Sequence, residues 1–501
     1  MKRGDLAALS LILLSLLRIA STWTVFSATV DEPMHISAGL ELYSRHVYEY
    51  QPENPPLPRL VLALAPYLGG MTFDPAPDKI PQLLGVFSAN GHYERNLVLA
   101  RSGNLFFFAL AALATWLWSR RELGAAGGCV ATLLFTMQPI VLGYSGVATH
   151  DAAATAGLAL SLLAFARWLE VSELPARAAA PRAIAAGAAF GFAVLCKFSC
   201  IGYVPAACGA MFAIRWIGRR RRMPGAPSPT GVQDARGSLL VSLAAATLSA
   251  VLAIGLGYGF HYEIFLAGVR GLAEIGRAGT HFGYLFGELS TKGWWYYFPV
   301  AVGLKSTLAS LMLALAALVV VRHQRVAGEA LGAAAAILLV AMPSSLDLGV
   351  RYVLPLYVPL SVAAAAAAVS LRPRWIAIVL LAWHTGASLL AQPDNLPYFN
   401  EAAGPRPWQL LADSNIDWGQ DVLRLRRALA EKKADRVGLA IFGWHRWNDL
   451  HFPPHYDAYP TLPTQGWVAV SEHLFQIKNF TWLRGRKYER VGKSIRLYYI
   501  P

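Results

Sequence analysis

The chain has 501 residues, 55% of them hydrophobic and only 15% charged, with a mean hydropathy of +0.41. A soluble domain carries about a quarter charged residues, so much of this chain must be solvated by lipid. Its formal net charge of +14 would suit a nucleic-acid binder, but the basic residues fall in short runs between apolar stretches, the positive-inside pattern of membrane proteins, which argues against a nucleic-acid partner.

A hydrocarbon core needs about 20 apolar residues per helix. Windows of that length place spans near 6–27, 97–118, 124–145, 151–170 and 237–258, then near 295–321, 329–346, 351–370 and 374–392. Residues 183–217 fit two short spans whose turn lies near Lys197, for a total of about eleven. The first run resembles a signal peptide, but it is long and shows no small-residue cleavage site before Asp31, so it reads as an uncleaved span. All four cysteines, Cys129, Cys196, Cys200 and Cys208, lie in apolar segments. Without polar or His partners they read as small buried residues, not as a disulfide framework or a zinc site.

Lys2-Arg3, Arg120-Arg121, Arg167 to Arg182, Arg215 to Arg222, Arg322 to Arg325 and Arg372 to Arg374 alternate with the remaining loops. That alternation puts them, and the N-terminus, on the cytoplasmic side of a bacterial-type inner (plasma) membrane. Residues 28–96, 144–150, 261–294, 344–349 and everything after Gln392 then face outward. The last segment is more polar, with β-like runs at Val437 to Phe442, Trp467 to Val470 and Ile495 to Ile500 and a helical stretch from Asp421 to Lys433. The fold class expected is an all-α polytopic membrane protein, its membrane part covering 1–392 with an outer juxtamembrane loop at 28–96, and with a small extracytoplasmic C-terminal α/β domain at 393–501. Arg219 to Asp234, rich in Arg, Pro and Gly, reads as a flexible cytoplasmic linker. The chain has no internal repeat, which weighs against transporters built from duplicated halves.

The first outer loop carries the most chemistry. Asp31 and Glu32 follow directly on the first span, and Glu53-Asn54 precede Pro55-Pro56-Leu57 and an apolar stretch. Taken alone, Asp31 and Glu32 read as solvated charges marking the end of a helix. Together with Thr149-His150-Asp151, with Gly293-Trp294-Trp295-Tyr296-Tyr297-Phe298-Pro299 followed by Lys305, and with Arg351-Tyr352-Val353-Leu354-Pro355-Leu356-Tyr357, the order resembles the GT-C superfamily of membrane glycosyltransferases. Within it the likeness is to the family 39-like group of protein O-mannosyltransferases and lipid A aminoarabinose transferase. Asp413 to Asp421 resembles a further motif of bacterial members. Asn54 departs from the pattern, since the family often has Lys or His before the Pro-Pro pair.

The resemblance implies a glycosyltransferase that moves a sugar from a polyprenyl-phosphate donor to an acceptor at the extracytoplasmic face. Asp31, Glu32 and Glu53 are then the candidate catalytic residues, with Asp31 as general base and inversion at the sugar carbon. Asp151, Lys197, Lys305, Arg351, Tyr352 and Asn54 are candidates for holding the donor or its phosphate. Lys197, Lys305 and Arg351 stand near outer span ends, against the cytoplasmic bias, although such cations also snorkel. Arg351 is the best placed, with Asp347 to orient it. Asp31 and Glu53 form a tentative site for a divalent cation, magnesium, manganese or calcium. Asp151 could instead cap its helix, and Trp294 to Phe298 could be an interfacial belt. His35, His46, His150 and His281 lack metal-ligand spacing and read as polar loop residues.

Two other classes stay in view. A lipid or solute transporter or flippase needs ionisable residues near the bilayer midplane, where only Arg18, His384 and Lys305 qualify, while the acidic residues gather at one face. A scaffold presenting the C-terminal domain would need none of Asp31, Glu53 and the Pro-Pro-Leu step. An enzyme of the same fold using another isoprenoid-linked donor shares every feature above.

Overall fold

The computed structural model describes residues 3–72, 85–172, 174–222, 232–278, 281–443 and 445–501. Most of the expected linker, 223–231, lies outside the described residues, between the helices Cys200–Arg222 and Val232–Gly257.

Among the described residues, seven helices are long and apolar enough to cross a membrane, or eight if the pair Tyr297–Lys305 and Leu308–Val320, bent by 118°, is one span. The expectation of about eleven differs for local reasons. Helix Arg3–Ala20 carries Arg3, Asp5 and Arg18, and Arg325–Ala341 has 17 residues. The 44-residue helix Tyr93–Thr136 breaks at Gly124, whose φ of 73° suits glycine. There the chain doubles back. Phe108 and Phe135 stack with centroids 6.1 Å apart, whereas a straight helix would separate them by about 40 Å. The segment therefore holds the two spans expected at 97–118 and 124–145.

Without a hydrophobic force between lipid-solvated helices, close approach depends on small residues. Gly187 and Gly191 of helix Ala176–Cys196 lie against the backbone of Ala246 and Ala250 in helix Val232–Gly257, where a Cβ would collide. Leu256, Leu315, Leu339 and Leu390 stay exposed for lipid. The deep polar groups are locked within the bundle. Arg18 donates to the Ser388 carbonyl at 2.6 Å, and His384 meets the Thr307 hydroxyl at 2.7 Å.

The chain after Ala391 forms an α/β region. A hairpin, β1 (Gly283–Leu285) and β2 (Glu288–Ser290), precedes it. The region's own sheet contains β3 (Val437–Ala440), β4 (His455–Asp457), β5 (Gly466–Ser471), β6 (Glu489–Val491) and β7 (Ile495–Ile500), in the order β4-β3-β5-β7-β6. β3 is parallel to β4 and β5, and β7 is antiparallel to β5 and β6. The three strands and the helix expected from alternation are present, the helix spanning Val422–Glu431. Its apolar face, Leu425 and Leu429, packs against Val437, Leu439, Ala469 and Leu497 of the sheet.

This region is stitched to the first outer loop by backbone bonds. Ser27 N–H donates to the Gln420 carbonyl at 2.9 Å and Val30 N–H to the Trp418 carbonyl at 3.1 Å. The Ser27 hydroxyl also donates to Gly419 O and accepts from Val422 N–H.

Candidate functional site

Asp31 and Glu32 stand together at the start of helix Glu32–Arg45, where successive side chains diverge by about 100°. They therefore meet different surroundings. Glu32 is fully buried and pairs with Arg101 at 2.8 and 2.9 Å. It also accepts from the backbone N–H groups of Thr29 and Ala148, both at 2.7 Å. Every direction around this carboxylate is filled by a donor, so it anchors the loop to helix Tyr93–Thr136 and to the 144–150 turn. The expectation that Glu32 is a catalytic group is corrected on that ground.

Asp31 turns the other way, into a cavity of about 680 Å³ that Glu53, Asn54, Lys197, Arg351 and Tyr352 also line. Its Oδ2 accepts from Arg351 Nη1 at 2.7 Å. Arg351 is aimed by the tight turn that carries it, Val350–Leu356 following Gly349, whose φ of 139° only glycine adopts freely. Its guanidinium lies 4.3 Å from the ring centroid of Trp418 and 4.0 Å from Asp151. The buried Nε has no hydrogen-bond partner among the described residues.

Lys197 sits where the chain becomes extended between helices Ala176–Cys196 and Cys200–Arg222, at the turn expected there. Its ammonium donates to Asp151 at 2.6 Å and lies 4.8 Å from the Tyr352 ring. Asp151 is buried behind the cavity in the first turn of helix Asp151–Leu169 and makes no cap. Read as a donor-site residue or as a helix cap, Asp151 here contacts Lys197 at 2.6 Å and Arg351 at 4.0 Å.

The loop bearing Glu53 and Asn54 is held from beneath by Arg59. That buried guanidinium donates to the carbonyls of Tyr50 and Gln51 at 3.1 and 2.9 Å and to the Tyr48 hydroxyl at 2.9 Å. Helix Glu32–Arg45 crosses so close to Arg59 that no Cβ fits at Gly39.

Two further expectations are corrected. Lys305 does not reach the cavity. It is buried at the end of helix Tyr297–Lys305, donating to the carbonyls of Leu396 (3.0 Å) and Asn415, and so fastens the chain after the last span. Asp347 does not orient Arg351; its Oδ2 accepts from the Trp294 N–H at 2.6 Å, and burial pushes its carboxyl up to about 6.

Other residues reach the cavity without having been singled out for it. His35 and His150, read as polar loop residues, are both buried, with rings 4.7 Å apart and nearly perpendicular. Burial, first, holds both imidazoles well below their usual range, with His150 and then Arg59 adding to it at His35 and Lys197 and Arg351 at His150. Asp413, Trp418 and Phe442 come from the C-terminal region. The Asp413 to Asp421 motif signalled the first two, and Phe442 appeared only as the end of a β-like run.

Asp31 and Glu53 line one cavity, so two of the oxygen donors expected for a divalent cation share a wall. Among the described residues, no group of three or more His, Cys, Asp or Glu side chains is placed to hold a metal ion, and Asp31 and Asp151 are each matched by a cation. Two carboxylates, one of them already paired with Arg351, are too few to hold a divalent cation by themselves.

Residues 95–224 match the family model described as dolichyl-phosphate-mannose-protein mannosyltransferase. Among curated proteins, none matches this chain. Among solved structures, the chain is similar to ArnT from Cupriavidus metallidurans bound to undecaprenyl phosphate, with 14% identity, 98% of this chain and 97% of that one covered, and a TM-score of 0.52. Weaker likenesses are to the Saccharomyces cerevisiae protein O-mannosyltransferase Pmt1-Pmt2 complex (17% identity, 53% of this chain and 34% of that one, TM-score 0.40) and to the oligosaccharyltransferase AglB from Archaeoglobus fulgidus (16%, 84% and 58%, TM-score 0.44). The chain shares the overall fold of ArnT, has apolar helices of membrane-spanning length, and over residues 95–224 is similar to the dolichyl-phosphate-mannose-protein mannosyltransferase model.

Proposed function

We propose that this protein transfers a sugar from a polyprenyl-phosphate donor to a hydroxyl or amine acceptor, with Asp31 as general base and inversion at the anomeric carbon. The observation that carries the reading is a partly exposed carboxylate, Asp31, paired with Arg351 in a cavity that Lys197, itself paired with Asp151, also lines. Leu272, Ile275, Val340 and Ala341 give that cavity an apolar wall suited to an isoprenoid tail. ArnT, which shares the fold, is bound to undecaprenyl phosphate, and this chain uses the same class of lipid.

In the resting site Arg351 holds Asp31. A donor phosphate competes for Arg351, whose Nε is unengaged, and for Lys197, so Asp31 is released to meet the acceptor. The acceptor proton passes to Asp31, the acceptor heteroatom bonds to the sugar C1, and the C1–O bond to phosphate breaks. Polyprenyl phosphate leaves with its charge held by the two cations, preorganised donors placed where charge develops. Asp413, at a strained φ of 54°, lines the acceptor side and positions the acceptor.

The cavity end faces away from the cytoplasm in this reading. The basic runs supporting that orientation pair together at the other end, Arg121 with Glu170 and Arg325 with Glu122. The division near residue 393 belongs to the same proposal, the membrane part supplying Asp31 and Arg351 and the C-terminal part closing the cavity. Purified protein in liposomes, offered a panel of radiolabelled polyprenyl-phosphate sugars, should release polyprenyl phosphate from at least one in the presence of membrane acceptor. Absence of sugar transfer from every donor, with the protein folded, would overturn the reading.

A further inference from the structure

A second cavity, of about 720 Å³, lies beyond the end of the last span and is lined by Leu390, Asp394, Tyr398, Trp408, Arg490 and Lys493 among others. Its floor is the end of helix Arg374–Ala391, where Leu390 is 89% exposed in a segment apolar enough to span the bilayer. Its roof is the sheet edge and turn that carry Arg490 and Lys493. A ligand there would sit at headgroup height, with an apolar tail free to run down the Leu390 face.

The charges in this cavity are not equally occupied. Asp394 accepts from Arg424 at 2.6 Å, and Glu401 accepts from the Trp383 indole at 3.0 Å. Glu472, behind the roof, is gripped by Arg496 in a paired contact at 2.9 Å and meets Arg490 only at 3.4 Å. Arg490 is braced flat, its guanidinium carbon 4.0 Å from the centroid of Trp408 and its Nη1 donating to Lys493 O at 3.0 Å. Bracing of this kind pre-organises a guanidinium for an anion. Lys493 is exposed, and among the described residues its ammonium makes no hydrogen bond or ion pair. The Tyr398 hydroxyl is buried without a partner among the described residues, a donor whose desolvation is uncompensated.

We propose that this cavity binds the phosphate of an anionic amphiphile, with Lys493 and Arg490 on the phosphate, Tyr398 as a further donor and the acyl chains along Leu390 and Ala387. It is separate from the Asp31 cavity and shares no lining residue with it. The inference stands whether or not the proposed transferase activity holds.

Native mass spectrometry of the full chain, delipidated and then offered phosphatidylglycerol, phosphatidylethanolamine or inorganic phosphate, tests it. Phosphatidylglycerol should be retained in preference to phosphatidylethanolamine. Lys493→Gln should lower that occupancy by about fivefold, the worth of one cation at a lipid surface. Lys493 is exposed, so this variant should melt with the wild type; Lys493→Glu should lower occupancy further. Retention that millimolar phosphate fails to displace identifies a lipid headgroup, and displacement by phosphate alone identifies a soluble phosphate; both support the site. Equal retention of the two lipids, or an unchanged preference in both Lys493 variants, would overturn it.

Discussion

Replacing Asp31 by asparagine separates its two possible contributions, because the shape is kept and the amide oxygen can still accept from Arg351. What is lost is the negative charge and the ability to take a proton. Removing a general base costs about 10²- to 10⁴-fold in rate, equivalent to about 3–5 kcal/mol of barrier. The fold should tolerate the change, since Asp31 is 19% exposed and Arg351 keeps Asp151 at 4.0 Å. Donor affinity should be unchanged or tighter, because a carboxylate that competes with the phosphate for Arg351 has been removed. Single-turnover transfer in liposomes, measured beside equilibrium binding of a non-transferable donor phosphonate, reads the two quantities separately. Transfer within about tenfold of wild type, or a fall in affinity that tracks the fall in rate, would refute Asp31 as base and leave it a positioning group.

Glu32→Gln should act on stability, not on the chemistry. Breaking one side of its sealed pair with Arg101 is expected to cost about 3–5 kcal/mol, seen as a lower melting temperature and yield; an inactive protein with wild-type melting would contradict this. Lys197→Gln removes a charged donor from the proposed phosphate site and should weaken donor binding by about 10- to 100-fold, measured by titration with the donor analogue. In the C-terminal region, burial pushes Asp417 from 3.8 up to about 7. A folded state that binds the proton more tightly than the unfolded one loses stability as pH rises between those values. The stability difference between Asp417→Asn and wild type should therefore depend on pH across that window, with wild type relatively more stable at its acid end. Thermal melts at several pH values check it, and a pH-independent difference would show that Asp417 does not titrate there.

Much of this arrangement was legible in the sequence because it follows from periodicity and charge. The Lys197 turn, the paired spans on either side of Arg120-Arg121 and the three strongest strands each have local signals, respectively a cation between apolar runs, a basic pair between apolar runs, and alternation. β4 and β6, three residues each, are too short to alternate visibly. Asp31 and Glu32 show what a sequence withholds. Both are acidic residues at the end of one span, and only the position of Arg101, 69 residues on, distinguishes the anchor from the residue that faces the cavity. Lys305 failed for the same reason. A lysine near a span end satisfies carbonyls or meets a ligand depending on how the chain beyond the last span folds back, and here Asn415 and Leu396 reach it first. His35 carries no pattern and His150 only its place in the Thr149-His150-Asp151 motif, because their proximity arises from two segments meeting in space.

The motif from Asp413 to Asp421 has a physical reason to be a unit with the membrane part. Asp31 and Arg351 are 320 residues apart, and the block holds both. Val30, next to Asp31, donates to Trp418 O; Val350, next to Arg351, donates to Asn415 Oδ1 at 3.0 Å, and Ser414 Oγ donates to Leu348 O at 2.5 Å. Trp418 meanwhile packs against the Arg351 guanidinium. Asn415→Ala should therefore loosen Arg351 without touching the cavity. It leaves the buried Val350 N–H unpaired, at a cost of about 1–3 kcal/mol, and frees the Tyr297 hydroxyl that Asn415 now binds at 2.9 Å. Transfer should fall by more than donor binding does, since misaligning a fixed charge harms the transition state most. If both fall equally, or if neither moves while the melting temperature drops, the block is a structural rivet and the register of Asp31 with Arg351 is set within the membrane part alone.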